Sequence, residues 1–489
     1  MQRSAPSTPA VTADARAMGR SLSLISLNKF VQLIGGALWA AIIPRWLGPE
    51  DYGRFALAMS ISLLLWWLGD FGGLEVFGRF LPGLAERDPG AARRLFGQMF
   101  LLRCGVGLSL VPFMLLVGPW IAPWLTGWPA ALVGFAAGLH IISWTSYHTL
   151  YARKEMGKWA VELSWRLITQ LPLVLLLGRW GLTAQMAAYT LNELLYLLLG
   201  LWWTRSDFSR AGLRPDWRFL RPYLAVGLGF WATNVGLIVL FRAGTTLVQL
   251  FTGEAAEVSY YDLALVVFFL VYTIVDQLIR AFLPMVSTFK EEGQEERVGT
   301  WLQIVAQWSA ALAVLFVVVV YYTAAWIMPF VLGAAYGRST AVLQVMLLAL
   351  PALALVSVGT VATAVRASAR AKLIAILGGV VAFFGSSPWL IARLQAVGAA
   401  WALAVGLMVY AVLLFAFIRH DLRLRWSALL GLLALALPLL ALRPLSGERF
   451  GLAVALSLAA AVGYVGLALS LRLLSPAPLR IVPRLLFHR

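Results

Sequence analysis

Charge is scarce in this chain: Asp, Glu, Lys and Arg make up only 12% of its 489 residues. Cysteine and histidine are scarcer still, at one and four residues. The single cysteine, Cys104, forms no intrachain disulfide and no cysteine-based metal site. His140, His148, His420 and His488 are scattered, with no metal-ligand motif around any pair. There is no Gly-x-x-x-x-Gly-Lys-Ser/Thr loop to cradle ATP, no Asp-x-Asp in a loop and no histidine-rich loop. No connecting segment is long enough for a soluble domain; the longest covers about residues 204–220. These absences argue against an ATP-driven pump. They also argue against a membrane-embedded glycosyltransferase, polymerase or ligase, which needs catalytic acids beside a sizeable loop.

Hydrophobic residues make up 61% of the sequence, and mean hydropathy is +0.83. A soluble protein of this length has no way to hide so much apolar surface, so lipid is its solvent. Apolar stretches of about 20 residues, the length that spans a bilayer, follow one another from Ser21 to Leu474 and number fourteen. The first two cover about 21–44 and 55–79. Residues 1–20 are polar and read as a disordered cytoplasmic tail rather than a signal peptide. Residues 475–489 form a basic cytoplasmic tail.

The net charge of +17 follows from topology rather than from nucleic-acid binding. With an even number of spans and the N-terminus in the cytoplasm, inside segments hold 26 of the 39 Lys and Arg residues. Outside segments hold 7 (Arg45, Arg54, Arg179, Arg338, Arg393, Arg443 and Arg449), and the other 6 lie within spans. That asymmetry predicts a multi-pass protein of a bacterial-type inner or plasma membrane with both termini cytoplasmic.

The landscape repeats. Trp120-Ile-Ala-Pro-Trp-Leu-Thr-Gly127 reappears as Trp326-Ile-Met-Pro-Phe-Val-Leu-Gly333, an offset of 206. Phe80-Leu-Pro82 returns as Phe282-Leu-Pro284, and Gly48 as Gly253, at offsets of 202 and 205. Both copies start on the cytoplasmic side, so they are parallel repeats, a common transporter build. The expected fold is an all-α integral membrane protein with an N-lobe over 21–203 and a cytoplasmic linker over 204–220. A C-lobe follows over 221–420, and two appended helices over 421–474.

A charge at the bilayer centre costs roughly 2.5–3.5 kcal/mol on insertion scales, so intramembrane charges are functional candidates. Acid-first i,i+4 spacing predicts the pairs Glu75/Arg79, Glu162/Arg166 and Asp276/Arg280. Lys29, Arg79, Arg103, Arg166 and Arg280 fall in cytoplasmic halves of their spans, and Arg242 lies deeper. Together they suggest a cationic vestibule suited to phosphate or acidic sugars. Arg79 and Arg103 are close enough to an interface to snorkel into water instead. Glu193, mid-span, reads either as a proton- or sodium-coupling acid or as a neutral acid bonded to a neighbouring helix. Asp70 and Asp276 sit at corresponding places in the two copies, which favours a gating or structural role.

The run Pro44-Arg-Trp-Leu-Gly-Pro-Glu-Asp-Tyr-Gly-Arg-Phe-Ala-Leu57 precedes a span ending in Arg79-Phe-Leu-Pro82. It resembles the polysaccharide transporter family of Wzx-type lipid-linked oligosaccharide flippases. That family lies within the multidrug, oligosaccharidyl-lipid and polysaccharide exporter superfamily. Tyr260-Tyr-Asp-Leu-Ala264 and Leu332-Gly-Ala-Ala-Tyr336 extend the likeness over about residues 20–420. The resemblance implies two six-helix lobes in a V around a cavity. It implies flipping of a polyprenyl-pyrophosphate-linked oligosaccharide, with Lys29, Arg79, Arg242 and Arg280 facing substrate. Membrane lipid and polysaccharide polymerase machinery are the implied partners, and no cofactor is expected beyond a coupling proton or sodium ion. A drug or metabolite exporter of the same superfamily is the rival reading, though such a cavity favours acids where this chain offers arginine.

Overall fold

A computed structural model of the chain describes residues 8–210, 212–280, 289–290, 292–366, 369–418, 425–446 and 449–474. Regular structure among them is entirely helical. The helices are α1 (Thr8–Leu68), α2 (Gly73–Arg87), α3 (Pro89–Ile121), α4 (Gly127–Ala152), α5 (Met156–Leu177), α6 (Leu182–Trp203) and α7 (Trp217–Thr252). They continue with α8 (Ala255–Arg280), α9 (Glu295–Leu332), α10 (Ser339–Leu348), α11 (Leu350–Arg366), α12 (Ala369–Ile418), α13 (Trp426–Ala441) and α14 (Phe450–Ser470).

These fourteen helices are not one-for-one the fourteen spans read from the sequence. At 61 and 50 residues, α1 and α12 each hold two span lengths. α1 turns at Gly48 (φ 79°, ψ 168°) and α12 at Gln395 (φ 53°, ψ −129°). Conversely, α10 and α11 reach span length only together, across a 45° bend, with Pro351 in the first turn of α11. The end of α1 and α2 are likewise joined across a bend, of 42°. That second bend lies inside the span expected over 55–79, where Gly69, Asp70, Phe71 and Gly72 interrupt the helix.

The repeat is visible in the backbone. Gly48 and its counterpart Gly253 have φ of 79° and 70°; Gly127 and its counterpart Gly333 have 55° and 106°. These angles are open to glycine and strained for residues with a Cβ, which explains why both copies keep glycine there. The second copy of Phe-Leu-Pro, at 282–284, lies outside the described residues.

The chain forms two compact units. One comprises residues up to Trp46 together with Leu57–Val235; the other comprises Leu47–Ala56 together with everything from Gly236 onward. The division falls inside α7, so the 204–220 segment belongs to the first unit. There it is held against α3: Gln98 Nε2 donates to the carbonyls of Gly212 (2.9 Å) and Arg214 (2.5 Å), and its Oε1 accepts the Asp216 N–H (2.8 Å). Arg94 adds an ion pair to Asp216. The Phe219 N–H, with the Arg94 guanidinium, keeps the Asp216 carboxyl below the ordinary range. Its contribution therefore holds above ordinary carboxylate pH and is lost as pH falls through the lowered value.

Within the first unit, α3 and α4 meet backbone to backbone at Gly107 and Gly138. A Cβ on Gly138 would lie 2.5 Å from the Gly107 carbonyl oxygen. Close helix contact through small residues is how apolar bundles pack when the surrounding solvent is lipid. Gly138→Val is expected to cost at least roughly 1–3 kcal/mol through overpacking, read as a lowered Tm of the detergent-purified protein. Gln98→Leu is expected to speed tryptic cleavage at Arg210 several-fold without lowering Tm comparably.

Candidate functional site

The break between α1 and α2 leaves backbone polar groups without helical partners inside an apolar bundle. Asp70 answers that need: its Oδ2 accepts the Gly73 N–H at 3.1 Å. The Arg103 guanidinium from α3 pairs with Asp70 Oδ1 and donates to the Asp70 carbonyl (3.3 Å) and to Thr145 Oγ1 (3.3 Å). It also lies 3.2 Å from His148 Nδ1. The approach is possible because Gly73 has no side chain; a Cβ there would sit 1.8 Å from Nη2. Arg103 is 0% exposed. It does not snorkel, because an acid at the helix break supplies the countercharge that water otherwise would.

A second network lies beside it in the first unit. Glu193 on α6 accepts from Arg166 Nε at 2.7 Å and contacts His140 Nδ1 at 2.5 Å. Arg166 also donates to the Tyr189 hydroxyl (3.3 Å) and lies 5.0 Å from the Trp66 ring centroid. His140 stacks on Trp66 with centroids 3.4 Å apart and planes 7° from parallel. The expected i,i+4 pair Glu162/Arg166 does not form. Arg166 turns to the neighbouring helix, and neither Glu162 oxygen has a hydrogen-bond partner. Glu193 is thus an ion-paired carboxylate rather than an isolated mid-span acid.

The second unit has three comparable centres. Arg242 on α7 lies 3.4 Å from Asp262 on α8, whose other oxygen accepts from the Tyr52 hydroxyl at 3.0 Å. Tyr52 and Tyr260 each pack edge-on against Tyr336. Glu257, buried in the first turn of α8, pairs with Arg338 at 2.7 Å and accepts the Ala396 N–H at 3.2 Å. It thereby pins the turn at Gln395, whose side chain accepts from Arg338 at 2.9 Å. Asp276 accepts from Ser357 Oγ (2.8 Å) and from the Tyr272 hydroxyl (3.3 Å), so its bonding partners include hydroxyls of α8 and α11.

Among the sequence-predicted residues, Arg166 and Glu193 come together, while Asp70, Arg242 and Asp276 each anchor a separate centre. Arg79 is exposed, its guanidinium 5.8 Å from the Phe80 ring centroid. The side chains of Lys29 and Arg280 lie outside the described residues. His140 and His148 escaped the sequence reading. The signal was their placement with Trp144 at i, i+4 and i+8, one face of α4, and both imidazoles contact that indole.

Helices of span length, with bent pairs among them and ion pairs sequestered in apolar bundles, define a multi-pass membrane protein. A family model described as "Polysaccharide biosynthesis protein" matches residues 42–341, well over half of the chain, and the chain belongs to that family. The fold is shared with solved structures. A lipid II flippase, MurJ, in an inward closed conformation is similar at a TM-score of 0.70 and 12% identity, over 91% of this chain and 98% of that one. An inward-facing MATE family multidrug resistance transporter of the MOP superfamily is similar at 0.62 and 17%, over 83% and 96%. A eukaryotic MATE transporter is similar at 0.57 and 12%, over 82% and 96%. No curated protein matches the sequence.

Removing one partner of a buried ion pair costs about 3–5 kcal/mol. Arg103→Met and Asp70→Asn are each expected to lower stability by that order, and the double variant by less than their sum. Strict additivity in a thermal-unfolding double-mutant cycle would show that the two do not act as a pair.

Proposed function

We infer that the protein is a flippase. It moves a polyprenyl-pyrophosphate-linked oligosaccharide from the cytoplasmic to the outer leaflet, with both termini in the cytoplasm. The observation that carries this reading is membership of the polysaccharide biosynthesis family in a chain whose fold is shared with a lipid II flippase. The chemistry suits such a transfer, because the lipid tail remains in hydrocarbon while pyrophosphate and sugars travel past fixed positive charge, avoiding full desolvation.

Lys29, Arg79, Arg166, Arg242 and Arg280 are the proposed contacts for the anionic headgroup and glycan. Arg166 and Arg242 remain 17% and 22% exposed while bonded to carboxylates, so an incoming phosphate meets a guanidinium already oriented. Asp70, Glu193 and Asp276 are the proposed gating or coupling acids. Asp70 sits at the bend of one broken span and Asp276 bonds to Ser357 in another, where a change of bonding alters helix direction. The proposed topology is supported by exposed Arg87, Arg93, Lys154, Lys158, Arg205, Arg210, Arg214, Arg218 and Arg221, which fall in or beside alternate connections. Membrane lipid and polysaccharide polymerase machinery are the proposed partners.

Cells depleted of the protein are expected to accumulate lipid-linked oligosaccharide on the cytoplasmic leaflet, measured by leaflet-selective labelling. Normal appearance of glycan outside would sink the assignment. Arg242→Glu, inserted at wild-type level, is expected to reduce export at least tenfold. Unchanged export would remove that residue from the substrate path.

A further inference from the structure

Glu162 belongs to none of these ion pairs. Glu162 lies on α5, one turn before Arg166, yet Arg166 bonds Glu193. Glu162 is fully buried, and neither carboxylate oxygen has a hydrogen-bond partner. The space around it suits a compact uncharged group. Gly200 on α6 opposes it without a side chain: a Cβ there would lie 2.7 Å from Oε1 and 2.9 Å from Ser146 Cβ. Neighbouring hydroxyls are already engaged, since Ser146 Oγ and Thr204 Oγ1 are 2.9 Å apart and Thr204 donates to the Gly200 carbonyl. Tyr147 from α4 and Tyr196 from α6 are the titratable groups, among the described residues, close enough to feel Glu162 electrostatically. Arg166 and Glu193 also act electrostatically on Tyr196.

We propose that Glu162 is a proton-binding site of the first unit, holding one proton in this conformation and releasing it when α4, α5 and α6 part and water enters. A carboxylate with neither countercharge nor hydrogen bond is not sustained in an apolar interior, whereas the carboxylic acid is. Ionisation therefore requires a conformation that wets the group, which links one proton to one structural change. A metal ion fits the place poorly: it would find one carboxylate and engaged hydroxyls, and no cluster of three metal-ligating side chains exists among the described residues. The inference deepens the flippase reading by naming a coupling ion, and rests on it only for what the proton drives.

The test uses full-length protein in lipid vesicles, followed by infrared difference spectroscopy between neutral and alkaline pH. Wild type is expected to show the carbonyl band of a protonated buried carboxylic acid, lost in Glu162→Gln and shifted in Glu162→Asp. Hydrogen exchange over 156–177, corrected for intrinsic rates, is expected to rise with pH in wild type and to be independent of pH in Glu162→Gln. Absence of the band from wild type, or its survival in Glu162→Gln, overturns the proposal. Should both variants fail to fold, presence or absence of the wild-type band decides alone. If the band behaves as expected while depleted cells export glycan normally, the flippase reading fails and the proton site stands.

Discussion

A carboxylate inside hydrocarbon needs a cation or a proton, and that requirement organises the interior of both units. Asp70, Glu193, Asp262 and Glu257 each hold an arginine, and each pair joins different helices or ties a helix to a turn. Such pairs contribute little net stability over well-packed apolar residues, because desolvating both charges offsets most of their attraction. What they supply is definition. Arg103 and Asp70 fix the geometry of a helix break, and Glu257 fixes a turn where Gln395 adopts a left-handed φ of 53°. An ion pair can exchange partners without leaving a charge bare, so the same contacts are suited to movement.

The fold was largely legible because its causes are local or periodic. Span-length apolar runs, basic asymmetry and recurrent glycines pointed to an all-helical membrane protein with a repeated half, and Gly48/Gly253 and Gly127/Gly333 share positive φ. Breaks were less legible. α1 runs through Pro44, where a span was expected to end, because the positive φ that turns the chain falls four residues later at Gly48.

The candidate site was legible as a set of residues and not as a set of bonds. Spacing within one helix says which side chains share a face; it does not say which neighbouring helix offers a better partner. Arg166 illustrates this: Glu162 is its i−4 neighbour, but Glu193 lies within 2.7 Å across the groove and Tyr189 with it. Arg103 illustrates the converse, since distance from the interface suggested snorkelling while the acid that buries it sits in a helix break. His140 and His148 looked scattered because their significance lies in one face of α4 and in Trp66, Trp144 and Arg103 around it.

The assignment of residues 47–56 to the second unit has a bearing on how the chain matures. Tyr52 closes a corner against Asp262, 210 residues further along, with Tyr336 later still. Synthesis delivers the first strip of that corner long before the helices that receive it. The opening segment must therefore wait, already threaded through its own bundle, until α8 arrives. A gene cut at the boundary between halves separates Tyr52 from its receptor, so the second half made alone lacks one of its own parts.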